Sequence, residues 1–322
     1  MRIRRVIIWG VCLIGVFGAG LGLWWHFLAL SQATDYSIGE IDPCPSPDGR
    51  WLVFRSYTAA APESGELWIR SALDLSQAPR QLITSSKFHG GVSWSPDSHW
   101  FSYTEWTDGV LAGTVESQVF RMNPKTGEKV QLTHGHGQEI KEGTSWSKNN
   151  QIAFICGSEI CAISPAGGPV NTLSRLAKQN LQITPEEIAW SPDGQRIAFS
   201  DQIESENDEL RSLWLLNINT GRSDRLTTGP WDSFPVWIDN ETVVFCHRPQ
   251  TQNTLVLSSV DTTSRRVSRI RSDAVYFSSG YASNAGVLYV SRGHRFDWNE
   301  KDSNPFRGFH VFRLRSRTPL FW

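Results

Sequence analysis

The chain has 322 residues, of which 11% are aromatic, and its formal net charge is −1. This composition excludes an intrinsically disordered or collagen-like protein, and the strong positive charge typical of nucleic-acid binding is missing. We therefore expect a globular chain with a large core and no nucleic-acid partner.

The N-terminal residues have the pattern of a membrane anchor. Residues 6–30 contain no Asp, Glu, Lys or Arg, and Arg2, Arg4 and Arg5 precede them. A run of this length spans a bilayer, and arginines flanking it stay on the cytoplasmic side. We predict a signal-anchor transmembrane helix within residues 1–30 and a linker over 31–37, with the rest of the chain on the periplasmic or extracellular side. The alternative is a secreted protein after signal-peptide cleavage, because 31–33 reads Ser-Gln-Ala.

A repeated ten-residue unit dominates the rest of the chain. Residues 190–199 read Trp-Ser-Pro-Asp-Gly-Gln-Arg-Ile-Ala-Phe, and related segments start at residues 45, 94, 146, 237 and 281. The Ser-Pro-Asp-Gly core favours a tight turn, because proline presets φ and glycine accepts a positive φ. The apolar residues on either side favour strands. The starts lie 44 to 52 residues apart, a spacing typical of propeller blades.

A second hairpin pattern follows each copy, as at 118–133 and 213–227. Each repeat therefore has four predicted strands, which we name A to D from the centre outward. The prediction is an all-β, six-bladed β-propeller over residues 38–322, preceded by one N-terminal transmembrane helix. We expect the propeller to be monomeric and to fold alone in a chain that starts near Asp35.

The Trp-Ser-Pro-Asp-Gly unit resembles the repeat of the TolB-type β-propellers. In looser form it is similar to the propeller domains of dipeptidyl peptidase IV and prolyl oligopeptidase relatives. The resemblance covers roughly residues 38–322 and implies a propeller used as an interaction platform. It departs from TolB in lacking the N-terminal α/β domain, since the predicted linker is only about seven residues long. The motif residues form turns and packing contacts, so the resemblance implies more about fold than about function.

The connections between strands differ between the two faces of the predicted disc. The A–B and C–D turns lie on one face, the tight-turn face, where segments such as 46–49 and 191–194 are short. The B–C and D–A connections lie on the other face, the long-loop face. Its predicted long loops are 58–65, 105–117, 201–211 and 293–308. Because binding residues commonly lie on long loops of a rigid scaffold, we predict that this face binds a protein or a cell-envelope polymer.

Residues near the starts of the A strands form the candidate ligand site. They border the mouth of the central channel, and a funnel with charges of both signs suits a polar ligand. Its predicted members are Glu40, His89, Lys141, Glu142, Glu186, Asp232 and Trp231, with Glu187 beside them. The alternative is that these side chains only solvate an open channel.

The sequence contains no Gly-x-Ser-x-Gly, no His-Glu-x-x-His and no phosphate-binding loop. His89, His134 and His136 are candidate metal ligands, similar in kind to the histidines of propeller-type polysaccharide lyases, but their spacing matches no metal motif. We predict a binding module with no metal and no cofactor. The alternative is a small lyase or hydrolase whose polar site, with or without a metal, lies in the central funnel.

Cysteine and tryptophan positions give two structural predictions. If 158–159 is a two-residue hairpin loop, Cys156 and Cys161 face each other, and either a disulfide or two buried thiols fits. Four tryptophans recur at one repeat position and are predicted to pack between blades. They are Trp94, Trp146, Trp190 and Trp237. Three others fall in connections of the long-loop face: Trp106, Trp231 and Trp298.

Charge is unevenly distributed along the chain. From Arg248 onward there are 12 Lys and Arg against 5 Asp and Glu, so blades five and six are expected to be positive. Such a sector suits an acidic partner or lipid headgroups, although charges at alternate positions are also typical of solvated strand faces.

The last prediction concerns how the ring closes. We expect residues 318–322 to supply the outer strand of blade six, since Pro319 suits a sheet edge, with 35–38 as the alternative. The membrane segment would then lead almost directly into the first A strand. That arrangement would hold the long-loop face toward the bilayer.

Overall fold

The computed structural model describes residues 27–33, 39–58, 61–84, 88–108, 115–134, 140–179, 183–204, 209–249, 254–272, 275–293 and 310–316. These residues form the predicted all-β fold, a β-propeller of six antiparallel sheets. Each sheet has four strands in radial order, and one sheet has a short additional strand. The six repeats therefore correspond to six blades.

Chain order and radial order agree in the first five blades. The first described strand, β1 (Phe27–Gln32), belongs to blade six. Blade one has β2 (Gly39–Pro45), β3 (Trp51–Thr58), β4 (Ala61–Ser71) and β5 (Arg80–Ile83). Blade two has β6 (Phe88–Trp94), β7 (Phe101–Asp108), β8 (Val115–Met122) and β9 (Lys129–Gln131). Blade three has β10 (Ile140–Trp146), β11 (Ile152–Cys156), β12 (Glu159–Ile163) and β13 (Asn171–Thr172), followed by a 3₁₀ turn at Ala177–Gln179.

The later blades repeat this order. Blade four has β14 (Thr184–Trp190), β15 (Arg196–Glu204), β17 (Leu213–Asn217) and β18 (Arg222–Arg225), and the short β16 (Glu209–Leu210) pairs with β15. Blade five has β19 (Asp232–Trp237), β20 (Thr242–His247), β21 (Val256–Asp261) and β22 (Val267–Arg271). Blade six has β23 (Val275–Ala282), β24 (Val287–Gly293) and β25 (His310–Ser316), with β1 outermost.

The A–B turns are held by a local network of serine and aspartate. In blade one the Ser46 hydroxyl donates to Asp48 Oδ1 at 2.6 Å, and the Trp51 N–H donates back to Ser46 Oγ at 2.9 Å. The same contacts recur in blades two and four. The fifth residue of the motif has a positive φ at Gly49, Ser98, Asn150 and Gly194. The motif thus specifies its turn through its own side chains, as its sequence predicts.

Several connections predicted as loops are instead paired strands. Strands β7 and β8 stay paired out to Asp108 and Val115, and β15 and β16 stay paired out to Glu204 and Glu209. In blade one, Thr58 pairs with Ala61, so most of the predicted loop 58–65 belongs to strands. The hydrophobic pattern does not reveal these extensions, because segments such as Glu-Trp-Thr-Asp at 105–108 lack the regular alternation of polar and apolar residues that marks a half-buried strand. Of the predicted loop 293–308, residues 294–308 lie outside the described residues.

The repeated tryptophans pack between blades, as predicted. Trp94 Nε1 donates to Cys44 O of the preceding blade at 2.9 Å, and Trp237 Nε1 donates to Ala189 O at 2.9 Å. Trp146 instead donates to Asn150 Oδ1 in the turn of its own blade at 2.9 Å. All three bonds satisfy the one polar atom of a large side chain, and those of Trp94 and Trp237 also join neighbouring blades.

An N-terminal strand closes the ring. β1 pairs antiparallel with β25, with Phe27 opposite Ser316 and Gln32 opposite Phe312. Ala33 N then donates to Val311 O at 2.7 Å, and Arg70 Nη1 of blade one donates to Ala33 O at 2.8 Å. The prediction that 318–322 closes the ring is therefore wrong, because β1 occupies the edge of β25. Residues 318–322 and the alternative 35–38 lie outside the described residues.

The direction of β1 reverses the predicted orientation of the disc. Ser316 lies where β25 ends, at the tight-turn face, since its neighbour Arg315 pairs with Val287 at the start of β24. Phe27 pairs with Ser316 and therefore also lies at the tight-turn face. The described N-terminal strand therefore begins at the tight-turn face, whereas we had predicted that the chain enters the propeller at the long-loop face.

The described residues contain no helix that is both long and apolar enough to cross a membrane. Residues 27–30, assigned from the sequence to the end of the anchor, lie in β1. The predicted anchor is therefore shortened to residues 6–26, which lie outside the described residues.

Candidate functional site

A ring of six β-bulges shapes the centre of the propeller. Every innermost strand shifts register a few residues before its motif begins. Bulges turn the side chains of a strand to new directions and are frequent beside functional sites. The residues three positions before the motif are Asp42, Gly91, Gly143, Glu187, Phe234 and Ser278, and all six line the channel. Non-glycine residues with positive φ occur here at Asp42 and Phe234, with φ of 52° and 57°.

The channel is a cavity of about 900 Å³ enclosed by all six innermost strands. At its long-loop end it is lined by Trp231 and Arg211, and at its tight-turn end by Pro47, Pro192 and Asn284. A volume of this size matches sites that bind small molecules or short polymer segments.

Charged side chains gather in the half of the channel nearer the long-loop face. Arg211 Nη1 lies 2.6 Å from Glu186 Oε2 and 3.6 Å from Glu187 Oε1. The Arg211 guanidinium also lies over the Trp231 ring, 5.3 Å from its centroid. Across the channel wall, Asp42 Oδ2 lies 3.4 Å from Arg55 Nε. These contacts hold charges of both signs in fixed positions facing the channel.

Backbone contacts explain why Arg211 is so placed. Its N–H donates to Pro230 O at 3.2 Å and its carbonyl accepts the Asp232 N–H at 3.1 Å, so blade four is joined to the start of β19. Asp201, buried nearby, accepts the Ser212 N–H at 2.6 Å and the Trp214 Nε1–H at 2.8 Å. The arginine thus extends from a rigid backbone, which lowers the entropy cost of using it to bind.

Glu187 is the most perturbed carboxyl group of the channel. Burial is the main cause that raises the pKa of the Glu187 carboxyl to about 7. The Glu186 carboxylate also raises this pKa, whereas the positive charge of Arg211 lowers it. The Ser200 hydroxyl donates to the Glu187 carboxylate, and about a quarter of the side chain remains accessible. The group is therefore poised to change protonation near neutral pH.

This pKa shift predicts a pH-dependent stability. The folded-state pKa lies above the ordinary value of 4.5, so the contribution of neutral Glu187 is fully present below that value and is lost as the pH rises through about 7. We expect the melting temperature of the parent to fall, relative to that of Glu187→Gln, between about pH 5 and about pH 8. Thermal melts across that range test this, with exposed Glu128→Gln as control. Parallel pH profiles for the parent and Glu187→Gln would contradict the shift.

Three polar atoms on the channel wall have no hydrogen-bond partner among the described residues. They are Trp190 Nε1, Ser279 Oγ and Tyr281 Oη. Leaving a buried polar atom unpaired costs about 1–3 kcal/mol, so such atoms are commonly satisfied by water or ligand. They are additional donors on the channel wall.

The structure separates the residues predicted from the sequence. Glu186 and Trp231 line the channel. Glu40 and Asp232 do not lie at an open mouth: they are 0% and 1% exposed, and each pairs with a histidine, His310 Nδ1 at 3.0 Å and His247 Nδ1 at 2.6 Å respectively. A buried carboxylate requires such a partner, which comes from the adjacent strand for Asp232 and from blade six for Glu40. The side chains of His89, Lys141 and Glu142 lie outside the described residues.

The remaining candidates are placed as follows. No group of three or more His, Cys, Asp or Glu close enough to hold a metal occurs in the described part of the chain, and His136 lies outside it. Trp106 is exposed at the long-loop end of β7, while Trp298 lies outside the described residues. Three charged residues of the channel were not predicted from the sequence: Asp42, Arg55 and Arg211. The bulge position of each repeat was the available signal for Asp42, whereas no local pattern marks the two arginines.

Cys156 and Cys161 are free thiols on the same face of the β11–β12 hairpin. The loop is 157–158, so Cys156 lies opposite Glu159 and Cys161 lies opposite Phe154, and the predicted direct pairing is wrong. Their side chains still interact diagonally, which lowers the pKa of Cys156 to about 7 and raises that of Cys161.

No protein-family profile and no curated protein sequence matches the chain. Among solved structures it is similar to TolB from Acinetobacter baumannii, with a TM-score of 0.58 and 16% identity over 85% of this chain and 66% of that one. It is also similar to an oligogalacturonate lyase in complex with manganese, with a TM-score of 0.56 and 12% identity over 89% of this chain and 93% of that one. A Bacteroides thetaiotaomicron protein of unknown function gives a TM-score of 0.60 and 8% identity over 89% and 72%. These identities show the fold alone: the chain is a six-bladed β-propeller structurally similar to the propeller domain of TolB.

Proposed function

We propose that the protein is a membrane-tethered, extracytoplasmic binding module. Its channel binds a polar segment of a partner protein or of a cell-envelope polymer, which enters from the long-loop face. The observation that carries this proposal is the cluster of Glu186, Glu187 and Arg211 over Trp231, which faces the channel at that end.

The cluster is suited to recognition. A guanidinium held between two carboxylates offers donors and acceptors side by side, and the buried Trp231 ring beneath it helps to fix its position. The paired hairpins β7–β8 and β15–β16 extend beyond the sheets on the same face. Rigid arms around a preorganised mouth favour binding, because little conformational entropy is lost.

The tether supports an outward orientation of this mouth. Residues 6–26 have no Asp, Glu, Lys or Arg, and as a helix they would reach about 30 Å, the thickness of the hydrocarbon core. They precede Phe27, which lies at the tight-turn face. An anchor there presents the long-loop face away from the bilayer to partners in the periplasm or outside the cell.

Photo-crosslinking in native membranes tests the proposal. The full chain carries a photo-reactive amino acid in place of Phe234, which lines the channel 6.3 Å from the Trp231 ring centroid. We expect crosslinks to an envelope component, and Arg211→Gln should lower their yield about tenfold, the effect of losing about 1.4 kcal/mol of binding.

The matched control is Arg222→Gln, which breaks an exposed 3.0 Å ion pair with Asp224 at the opposite face and should leave the yield unchanged. Crosslinks that survive Arg211→Gln, or that form instead from a probe at Lys125 on the tight-turn face, would refute the proposal. Release of polymer fragments that is lost in Glu187→Gln would favour the lyase or hydrolase alternative.

A further inference from the structure

Exposed apolar side chains are concentrated at one face of the disc. Six large hydrophobic residues are exposed among the described residues, and only Trp106 lies at the long-loop face. The others lie at or beside turns of the tight-turn face: Trp51, Leu73, Leu75, Val170 and Val267. Leu73 is 74% exposed, and Trp51 is 42% exposed. Four of the five belong to blades one and five, the two neighbours of blade six.

The leucines of blade one are held outward by a rigid turn. Ser71 Oγ accepts the N–H groups of Leu73 and Asp74 at 3.2 and 3.0 Å. Asp74 in turn accepts hydrogen bonds from Ser76 and Gln77, so its carboxylate is engaged within the turn. Leu73 and Leu75 are therefore exposed by a preorganised conformation, which costs little entropy when they bind.

Blade five contributes positive charge at the same rim. Its C–D turn contains Arg265 and Arg266, followed by exposed Val267 and Arg269 on the outermost strand. No carboxylate of the described residues lies within ion-pair distance of these three arginines. Between the two patches lies Phe27, where the chain arrives from the predicted membrane segment. Apolar side chains and arginines on either side of a membrane anchor match an anionic bilayer surface in composition and position.

We propose that this rim is a membrane-docking edge that binds anionic phospholipid headgroups. Trp51, Leu73 and Leu75 enter the interface from blade one, and Arg265 and Arg266 contact the headgroups from blade five. The inference rests on the tether of the proposed function for its geometry and adds the lipid chemistry. The disc then stands tilted on this edge, with the tight-turn rim of blades two, three and four away from the bilayer.

The test uses the full chain in vesicles of phosphatidylglycerol and phosphatidylcholine, and in vesicles of phosphatidylcholine alone. A fluorescent amino acid replaces Leu73 in one sample and Val170 in another. Val170 is an exposed apolar residue on the same face, in blade three across the ring, and so is a matched control. In anionic vesicles we expect iodide quenching to be severalfold weaker at 73 than at 170, and the difference should shrink in phosphatidylcholine.

Charge reversal completes the test. Arg265→Glu with Arg266→Glu should restore quenching at position 73, whereas Lys125→Glu with Arg222→Glu, in turns of blades two and four, should not. Equal quenching at 73 and 170 in anionic vesicles would overturn the proposal, as would protection unaffected by the Arg265 and Arg266 changes.

Alkaline extraction distinguishes the docking edge from the membrane tether of the proposed function. A chain that washes out but is shielded at 73 has a docking edge without the tether, and one that resists extraction but is quenched at 73 has the tether without the edge.

Discussion

Gly91→Ala is expected to destabilise the propeller by about 3 kcal/mol, because two separate penalties add. The residue has a φ of 52°, where a side chain costs about 1–2 kcal/mol. An added Cβ would also lie 2.4 Å from both Cα and N of Gly143, so the innermost strands of blades two and three would be forced apart. Overpacking of this kind costs about 1–3 kcal/mol.

Gly127→Ala is the matched control for this prediction. Gly127 has a φ of 76° in the C–D turn of blade two, and an added Cβ there meets no atom within 4 Å. It should lose only the conformational term, about 1 kcal/mol. The two free energies of unfolding are measured by urea titration. If both variants lose the same amount, the close approach of the bulges does not matter to the fold.

The repeat and its turns were predictable because their determinants are local. In Ser46-Pro-Asp-Gly the serine and aspartate side chains bond the backbone of the same turn, so one copy contains all the information needed. The paired hairpins beyond the sheets were missed because they do not show the alternation of a half-buried strand.

The closing strand was hidden by its composition. Residues 27–30, Phe-Leu-Ala-Leu, continue the apolar run of the anchor, and an apolar strand and the end of a membrane helix have the same signature. The two are distinguished only by pairing with the edge of β25, which lies nearly 300 residues later in the chain.

The candidate site was only partly predicted, because contacts between residues distant in the sequence decide which side chains reach it. Glu186 and Glu187 lie just before the repeated unit that starts at Trp190, so aligning the repeats identifies them. Glu40 looks equally exposed in the sequence, and its burial depends on His310, 270 residues away. Arg211 is brought to the channel by its backbone bonds to residues 230 and 232, a contact that no motif encodes.

The proposed orientation of the propeller depends on closure of the ring by β1. A chain starting at Asp35, which the sequence suggested as sufficient, lacks the outer strand of blade six. It loses the ladder from Phe27 to Gln32, the bond from Ala33 to Val311 and the Arg70 bond to Ala33. With about 0.5–1.5 kcal/mol for each net hydrogen bond, the loss is about 5 kcal/mol or more.

A chain starting at Phe27 is the control, since it keeps β1 and removes only the predicted anchor. Arg70→Lys in the full chain gives a second control, with a smaller expected loss, because a lysine cannot bond Ala33, Leu75 and Gln77 from one planar group.

The decisive measurement is the urea midpoint of the chain starting at Phe27 against that of the chain starting at Asp35. We expect the first chain to unfold at the midpoint of the full-length propeller, and the second to unfold at a much lower urea concentration or not to fold. Equal midpoints would mean that β1 does not close the ring. They would also remove the support for the proposal that the tight-turn face lies toward the membrane.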